Sequence, residues 1–391
     1  MLIKDEMDRL VMIPGPSPVG RTILDALSQP TVAHTSAALA EIIRRCQDGL
    51  RFVAGTTAAS PFLFAGSGTL AQEAAVVNLV RPGERLLVIS NGYFGDRFTA
   101  IGHAHGIEVD AITAPWGTSV SPEQVQERLT TGRYMAATIT HVDTSTGVAA
   151  PVPDIARVLA GQGVLTILDS VCALGGMPVQ MDEWGVDVVL TGAQKALGVP
   201  PGLSLLLASD RALERRRVLG QVNSFYADFL NWEASMADPQ VYFSTHPVNL
   251  FYALDAGLEI VQEEGLEQRF ARHQRLATGF RAGMAEMGFS PFTEPNALAP
   301  TLSVVEYPAG IDDTAFRSQL AQQGVIAAGC LGDFKGKGVR FGHMGNITEV
   351  EIVQTLIAVA NTITALNREV DAGAAVRQAL SASAPRSEVA V

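Results

Sequence analysis

Short apolar runs alternate, over the first 250 residues, with stretches whose apolar side chains recur at helical spacing. The runs have the length and β-branched content of buried strands and lie at 61–64, 85–90, 108–112, 135–140, 164–168, 186–190 and 203–208. The helical stretches lie at 21–27, 37–54, 70–80, 98–105, 122–130 and 152–162. Apolar strands that alternate with helices are typical of a parallel sheet covered on both faces. The pattern therefore predicts an α/β fold with a large, mainly parallel sheet of seven strands.

The pattern changes after Leu250. A long helical stretch reaches about Glu286 with an interruption at Gly265, and shorter strands and helices follow it at 301–305, 314–322, 339–342 and 349–366. These elements predict a smaller α+β domain. The predicted division is an N-terminal arm at 1–16, a large domain at 17–263, a small C-terminal domain at 264–370 and a tail at 371–391. The tail has few large apolar residues, so we expect it to be flexible.

Composition and charge exclude several classes of protein. The 391 residues carry a net charge of −12, which argues against nucleic acid or an anionic membrane as a partner. The three cysteines are far apart, which favours a reducing compartment over a disulfide framework. No apolar run approaches the roughly 18 residues that span a bilayer, and the N-terminal MLIKDEMDRL has no apolar signal-peptide core. We therefore expect a cytoplasmic globular protein.

Lys195 and Asp169 are the strongest candidates for chemistry. Asp169 directly follows the apolar run 164–168, at the edge of the predicted sheet where ligands of α/β proteins bind. Lys195 follows the next run and precedes the turn-forming VPPG at 199–202. A carboxylate that faces a pyridinium nitrogen and a lysine that forms a Schiff base with an aldehyde are the groups that pyridoxal phosphate requires. A plain salt bridge, or a lysine with its ammonium group in water, would account for the same two residues.

The sequence GSGT at 66–69 predicts a tight turn between a strand and a helix. Its backbone N–H groups and two hydroxyls favour a bound phosphate. The turn also matches the dinucleotide fingerprint through Gly66, Gly68 and Ala71, which would indicate a nicotinamide-dependent dehydrogenase. That fingerprint requires an acidic residue at the end of the next strand, where this chain has Asn91. An ordinary glycine turn remains an alternative.

Six motifs follow one another along the chain: SNGYFGDR (90–97), HVDTSTGV (141–148), LDSVCALGG (168–176), TGAQKALGVPPGLS (191–204), YFSTHPV (242–248) and VRFGHMG (339–345). In this order they resemble the class V aminotransferases, and within that family the alanine/serine–glyoxylate aminotransferase group. The resemblance extends over nearly the whole chain, to about residue 365. It implies the fold type I architecture, pyridoxal 5′-phosphate as cofactor, and a homodimer with active sites at its interface.

The resemblance also implies a role for individual residues. Lys195 would form the Schiff base and move a proton between the substrate Cα and the cofactor C4′ carbon, while Asp169 would keep the pyridine nitrogen protonated. Arg340 would bind the substrate α-carboxylate near the backbone of Gly15. The remaining cofactor-binding positions would be Ser67, Gly68, Thr69 and Gln194 for the phosphate, Thr144 for the phenolic oxygen, Val171 and Phe94 for the ring, and Tyr242 and Thr245 from the other subunit for the phosphate. Thr144 and His343 would also line the substrate pocket.

Three positions depart from the pattern of this group. Phe94 stands where a ring-stacking tryptophan is common, and His343 stands where some relatives have an aliphatic residue, which predicts a more polar substrate pocket. Cys330 lies on the loop that carries the nucleophile of cysteine desulfurases, although the flanking AGCLGDFKGKG resembles the aminotransferase loop more. A desulfurase requires an accessible thiol with a low pKa at this position.

The predicted reaction is a ping-pong transfer of an amino group from alanine, serine or aspartate to glyoxylate or pyruvate. The alternatives are a desulfurase or lyase that uses Cys330, a dehydrogenase, and a cofactor-binding module without turnover. The histidines predict no metal site, because His103 and His105 have no third ligand near them in the sequence. For His141, at a strand end, the position favours a structural role over a catalytic one.

Overall fold

The computed structural model describes residues 9–384. Its strands are β1 (Leu10–Val11), β2 (Ser60–Gly66), β3 (Arg85–Ser90), β4 (Glu108–Thr113), β5 (Ala136–Thr140), β6 (Val142–Asp143), β7 (Val148–Ala149), β8 (Leu165–Asp169), β9 (Val188–Gly192), β10 (Gly202–Ala208), β11 (Ser290–Pro291), β12 (Leu302–Glu306), β13 (Val325–Ile326), β14 (Ala328–Gly329) and β15 (Gly338–Gly342). Its α-helices are α1 (Arg21–Leu27), α2 (Ala37–Ala54), α3 (Gly68–Leu79), α4 (Tyr93–Ala104), α5 (Pro122–Leu129), α6 (Val152–Gly161), α7 (Met181–Trp184), α8 (Asp210–Val218), α9 (Phe229–Ala237), α10 (Val248–Glu264), α11 (Leu266–Glu286), α12 (Asp313–Gln322), α13 (Glu349–Ala365) and α14 (Ala372–Ser383).

The main sheet contains seven strands in the order β2-β10-β9-β8-β5-β3-β4. All pairs are parallel except those of β10, which runs antiparallel to both of its neighbours. Strands β5, β8 and β9 are buried along their whole length, as expected for a sheet covered on both faces. The predicted α/β fold with a mainly parallel sheet is therefore confirmed.

Strand register brings the candidate residues to one edge of this sheet. Thr140 pairs with Asp169, and Asp169 pairs with Leu190, so β5, β8 and β9 end at nearly the same level. The loops that follow β2, β3, β5, β8 and β9 consequently meet at the carboxyl ends of the strands, where ligands of α/β sheets bind.

A second sheet, in the order β11-β12-β15-β14, is antiparallel throughout. It packs with α11, α12, α13 and α14 around a hydrophobic core of its own. The predicted break at Gly265 is also present: this glycine has φ +77°, in the left-handed region that ends one helix before the next begins. The boundary between the two domains at residues 263 and 264 stays a prediction.

The N-terminal arm belongs to the second core. Strand β1 pairs in parallel with β13, with Leu10 opposite Val325, and the side chain of Met12 is fully buried there. Met12 also accepts a hydrogen bond from the backbone N–H of Gly342 at the end of β15. The arm was predicted to span residues 1–16, of which 1–8 lie outside the described residues.

The prediction of a flexible tail is wrong for most of its length, because residues 372–383 form helix α14. The Asp371 side chain caps this helix by accepting a hydrogen bond from the N–H of Ala374. Alanine favours helix, and small residues let α14 approach α11 closely. A Cβ added to Gly279 of α11 would lie 2.8 Å from the carbonyl oxygen of Ala379. Residues 385–391 of the predicted tail lie outside the described residues.

Within residues 9–384, no helix combines the length and the hydropathy that a membrane crossing requires.

We expect Ala379→Asp to lower the free energy of unfolding by about 3 kcal/mol at neutral pH, because it places a charge without a partner in an apolar core. Urea unfolding followed by circular dichroism measures the effect. Gln378→Asp introduces the same charge on the exposed side of the same helix and should change stability by less than about 0.5 kcal/mol. Equal unfolding midpoints for the two variants would contradict the packing of α14 against the core.

Candidate active site

A cavity of about 140 Å³ lies at the carboxyl edge of the main sheet. Its walls come from the loops after β2, β5, β8 and β9 and from the beginning of α4. The lining residues are Ser67, Gly68, Thr69, Gln72, Phe94, Arg97, Val142, Thr144, Asp169, Val171, Cys172, Gln194 and Lys195. Most of the residues predicted for the cofactor therefore meet in one place, including the acid and the amine.

Asp169 lies at the buried end of the cavity. Its Oδ1 accepts a hydrogen bond from the backbone N–H of Val171 at 3.0 Å, and its Oδ2 accepts one from Nε2 of Gln72 at 2.6 Å. Burial raises the pKa of Asp169 to about 6, and these two donors oppose that rise. The carboxylate is thus ionised at neutral pH and suits a cationic partner.

Lys195 approaches the same cavity from the loop after β9. Its Nζ donates to the carbonyl oxygen of Pro14, so the N-terminal arm lies directly against the amine. A Cβ on Gly15 would lie 2.5 Å from that Nζ, which explains why glycine stands there. Gly15 was predicted to lie beside the substrate. In the structure its backbone lies against the side chain of Lys195.

The backbone around Lys195 is held from two sides. Ser17, directly after the arm, donates from its hydroxyl to the carbonyl oxygen of Lys195 at 2.7 Å. Arg269 of α11 is fully buried and donates to the carbonyl oxygens of Ala196 at 2.7 Å and of Gly175 at 2.8 Å. The loop that carries the lysine and the loop that follows Asp169 are consequently tied to the same guanidinium group.

One end of the cavity is suited to an anion. Ser67 precedes the first residue of α3, and its side chain makes no capping hydrogen bond in the described structure. Its hydroxyl and the N–H groups of Gly68 and Thr69, at the start of the helix, are therefore available to a ligand. A Cβ on Gly68 would lie 3.1 Å from Val171, so this position favours glycine as the helix meets the cavity wall. Arg97 donates to the hydroxyl of Thr69 at 2.8 Å and brings a positive charge to this end.

Gln194 lies beside the anion end, and its Oε1 is buried without a hydrogen-bond partner among the described residues. The same is true of Oε1 of Gln72 at the acid end. Buried polar atoms normally have partners, so both oxygens fit a cavity built for a polar ligand. An acid, an amine, and hydroxyls at a helix N-terminus around one cavity together fit pyridoxal phosphate.

Phe94 lines the cavity at the position predicted to stack on the cofactor ring. Helix α4 begins at Tyr93, five residues earlier than the predicted start at residue 98. The reason is Asp143, which is fully buried and accepts hydrogen bonds from the backbone N–H groups of Phe94 and Gly95 at 2.9 and 3.1 Å. A carboxylate at a helix N-terminus stabilises the first turn, and here it positions the aromatic ring.

Arg340 on β15 reaches the cavity wall from the second sheet. It donates from Nε to the carbonyl oxygen of Gly329 at 2.9 Å and from Nη1 to that of Thr144 at 3.1 Å. Burial lowers the pKa of its guanidinium, and no carboxylate of the described residues pairs with it. A partly buried arginine without an acidic partner suits a substrate carboxylate.

His343 lies outside the cavity lining, contrary to the prediction that it makes the substrate pocket more polar. Its side chain is fully buried, with Nε2 2.9 Å from the hydroxyl of Ser303 and the ring packed on Phe280. Strand β15 ends at Gly342, and the next side chain turns into the core instead of toward the cavity. Burial keeps the pKa of His343 well below its usual value.

Two other groups of predicted residues also lie outside the cavity. Tyr242 is 60% exposed and packs on the ring of His34, and Thr245 is exposed as well. Their predicted role in the site of a second subunit stays a prediction. His141 is buried against Trp184, and burial lowers its pKa to about 3, which agrees with a structural histidine.

Cys330 does not have the properties of a desulfurase nucleophile. The thiol is buried directly after β14 and does not line the cavity. Burial raises its pKa to about 12, although the guanidinium of Arg340 opposes the rise. A thiol in this environment is protonated and unreactive at neutral pH.

Sequence reasoning did not single out Gln72, Arg97 and Asp143. Each of these residues had a feature in the sequence that could have identified it. Gln72 lies one helical turn after Gly68, and Arg97 and Asp143 lie within motifs that were recognised for other residues. Their importance depends on contacts between separate loops, and these contacts become visible only once the loops are brought together.

Comparisons with known proteins agree with the geometry of the site. The sequence profile of the family Aminotransferase class-V matches residues 24–332. The L-aspartate–glyoxylate aminotransferase of Paracoccus denitrificans is 31% identical over 94% of this chain and 94% of its own length. The alanine–glyoxylate aminotransferase 1 of Saccharomyces cerevisiae is 34% identical over 86% of this chain and 91% of its own length.

A solved structure extends this similarity to three dimensions. The ureidoglycine–glyoxylate aminotransferase of Bacillus subtilis superposes with a TM-score of 0.92 and 29% identity, covering 96% of this chain and 97% of its own. The chain belongs to the class-V aminotransferases, and it is a transaminase that depends on pyridoxal phosphate.

Proposed function

We propose that this enzyme transfers the amino group of a small amino acid, namely alanine, serine or aspartate, to glyoxylate or pyruvate in a ping-pong cycle. The observation that carries the proposal is the single cavity lined by Asp169 and Lys195, with Arg340 bonded to Thr144 in its wall. The relatives named above support glyoxylate as the acceptor, since two carry it in their names together with aspartate or alanine as the donor.

When bound, pyridoxal phosphate supplies a conjugated ring that stabilises negative charge at the substrate Cα. In the proposed mechanism Asp169 holds a proton on the ring nitrogen, because its ionised form is the form that attracts a cation. The backbone N–H of Val171 and the side-chain amide of Gln72 keep this carboxylate oriented and ionised. Phe94 and Val171, which both line the cavity, would pack against the ring.

The amine of Lys195 would take the proton from the substrate Cα and deliver it to the C4′ carbon of the cofactor. The carbonyl oxygen of Pro14 accepts a hydrogen bond from Nζ and so holds the amine at the cavity. The loop on either side of the lysine is fixed by Ser17 and Arg269. These contacts therefore keep both the backbone of Lys195 and its amine in place at the cavity.

The phosphate is proposed to lie at the first turn of α3. Ser67, Gly68 and Thr69 offer hydroxyl and N–H donors there, and the amide of Gln194 adds another polar group. Tyr242 and Thr245 are proposed to complete the phosphate site of a second subunit, which their exposure in the single chain supports. Their contribution makes the enzyme a homodimer in this proposal.

Arg340 is proposed to bind the α-carboxylate that amino acids and 2-oxo acids share. Two of its five N–H groups are used by backbone carbonyl groups, which leaves one N–H of Nη1 and both N–H groups of Nη2 for the two oxygens of a carboxylate. Because both substrates present the same carboxylate, one arginine serves both halves of the cycle. Gly15, whose backbone lies against Lys195, and Thr144, which lines the cavity and bonds to Arg340, are proposed to lie beside the substrate.

A matrix of amino donors against 2-oxo acceptors tests the proposal. We expect turnover with alanine, serine or aspartate as donor and glyoxylate or pyruvate as acceptor, measured by chromatography of the amino acid products. Lys195→Ala, which lacks the proton-transferring amine, should be inactive with every pair. Turnover confined to other donors or acceptors would overturn the proposed substrates.

We expect Arg340→Lys to raise the KM of both the amino acid and the oxo acid by about 10- to 100-fold, because lysine keeps the charge but loses the paired donors. Steady-state kinetics with each substrate varied measure the effect. Arg317→Lys, on a neighbouring arginine that pairs with Asp313, is the matched control and should leave both KM values unchanged. An Arg340→Lys enzyme with the KM values of the wild type would contradict the assignment.

Cys330→Ser should retain transamination within about twofold of the wild type, since the buried thiol has a pKa of about 12 and takes no part in the proposed chemistry. Sulfide release from cysteine, assayed with the wild type and the variant, distinguishes the alternative. Sulfide release by the wild type that disappears in Cys330→Ser would instead indicate a desulfurase.

A further inference from the structure

Gln72 lies in the second turn of α3, is 2% exposed, and lines the cavity next to Asp169. Its Nε2 donates to Oδ2 of Asp169 at 2.6 Å and lies 3.5 Å from the carbonyl oxygen of Phe94. We propose that Gln72 is a positioning residue for the cofactor: its amide keeps the Asp169 carboxylate ionised and oriented toward the ring nitrogen. This inference concerns cofactor binding and does not depend on which amino acid or oxo acid the enzyme uses.

The charged and titratable groups around Asp169 make this neutral donor important. The Asp143 carboxylate, on the loop after β5, raises the pKa of Asp169, while the Arg97 guanidinium on α4 lowers it. Cys172 follows on the same loop as Asp169, and burial raises the pKa of its thiol to about 11, so it stays neutral. Lys195 enters from the loop after β9, where its amine bonds to the N-terminal arm. Among the described side chains, Gln72 is the one that bonds the acid directly.

The orientation of the amide follows from the charge that it faces. With Asp169 ionised, only the NH₂ group of Gln72 can point at the carboxylate, because an amide oxygen 2.6 Å from a carboxylate oxygen would be repelled. Oε1 must then face away, and it is buried there without a partner among the described residues. A buried amide oxygen without a partner costs free energy. In this arrangement the hydrogen bond from Nε2 to Asp169 outweighs that cost.

The same side chain links two parts of the cofactor site. Asp169 is proposed to contact the nitrogen of the cofactor ring, and Phe94 is proposed to stack on the face of that ring. Gln72 contacts both, with a short hydrogen bond to the acid and a longer contact to the backbone at the aromatic residue. Loss of this amide is therefore expected to weaken cofactor binding rather than to destabilise the fold alone.

The direction of the pH dependence follows from the ionised form of Asp169. A hydrogen bond to the carboxylate lowers its pKa, so the stabilisation is present above a pH of about 6 and is lost as the pH falls through that value and the acid takes up a proton. A variant without the amide should consequently resemble the wild type more closely at low pH than at neutral pH.

The experiment measures the affinity of the apoprotein for pyridoxal phosphate between about pH 5 and about pH 9, by quenching of tryptophan fluorescence. We expect Gln72→Leu to bind about 10- to 100-fold more weakly than the wild type at neutral pH, the range for a hydrogen bond to a charged group. Gln72→Glu has nearly the same shape. Its protonated acid can donate to Asp169 at low pH, whereas two carboxylates repel one another at high pH.

Gln72→Glu should therefore bind the cofactor nearly as well as the wild type at low pH and progressively more weakly as the pH rises. Gln47→Leu is the matched control, since Gln47 is a buried amide that donates to the carbonyl oxygen of Met236, away from the cavity. It should leave the affinity at every pH unchanged. At saturating pyridoxal phosphate, the fold-decrease in kcat of both Gln72 variants should be larger than the fold-increase in their KM.

The proposal is overturned if Gln72→Glu binds pyridoxal phosphate with the affinity and pH dependence of the wild type. It is also overturned if Gln72→Leu and Gln47→Leu show the same affinity. Should Gln72→Leu fail to fold, Gln72→Glu alone decides the question, because its pH profile separates a role in orienting the acid from a role in packing.

Discussion

The proposed mechanism depends on keeping one carboxylate charged in a place from which water is largely excluded. Asp169 must be ionised for its proposed role beside a cationic ring nitrogen, yet burial alone opposes this charge. The fold resolves the conflict with donors that belong to the surrounding segments, the N–H of Val171 and the amide of Gln72. The register of β5, β8 and β9 brings the loops of the site together at one edge of the sheet. The ionised state of Asp169 therefore depends on how these strands pair.

Neighbouring loops hold the rest of the site by the same kind of contact. Asp143, another fully buried carboxylate, uses its oxygens to fix the first turn of α4 and thereby the ring of Phe94. Asp143 accepts hydrogen bonds from the backbone, whereas Arg269 donates them. The buried guanidinium of Arg269 donates to carbonyl oxygens of the loops that follow Asp169 and Lys195. Polar groups inside the protein are thus paired with backbone, which orders irregular segments that no sheet or helix would hold.

The sequence was sufficient for residues whose position follows from chain order. Asp169 and Lys195 directly follow apolar strands, and strand ends of a parallel sheet share one edge, so their meeting could be predicted. Gln72 and Asp143 could not be found in this way, because their roles depend on which loops touch. His343 was misplaced since residues near the end of a strand can point toward a cavity or into the core, and the sequence does not distinguish them. The tail was misjudged because small residues pack as closely as large ones when glycines face them.

The N-terminal arm links Lys195 to the strand that carries Arg340. Within the described residues its strand β1 pairs with β13, Met12 bonds to Gly342 at the end of β15, and Pro14 reaches the amine of Lys195. Arg340 lies on that same strand β15. A displacement of β15 would therefore move both the guanidinium proposed to bind the substrate carboxylate and the carbonyl group beside the amine. A few residues of extended backbone thus make the geometry of the proposed carboxylate site depend on the segment that holds the lysine.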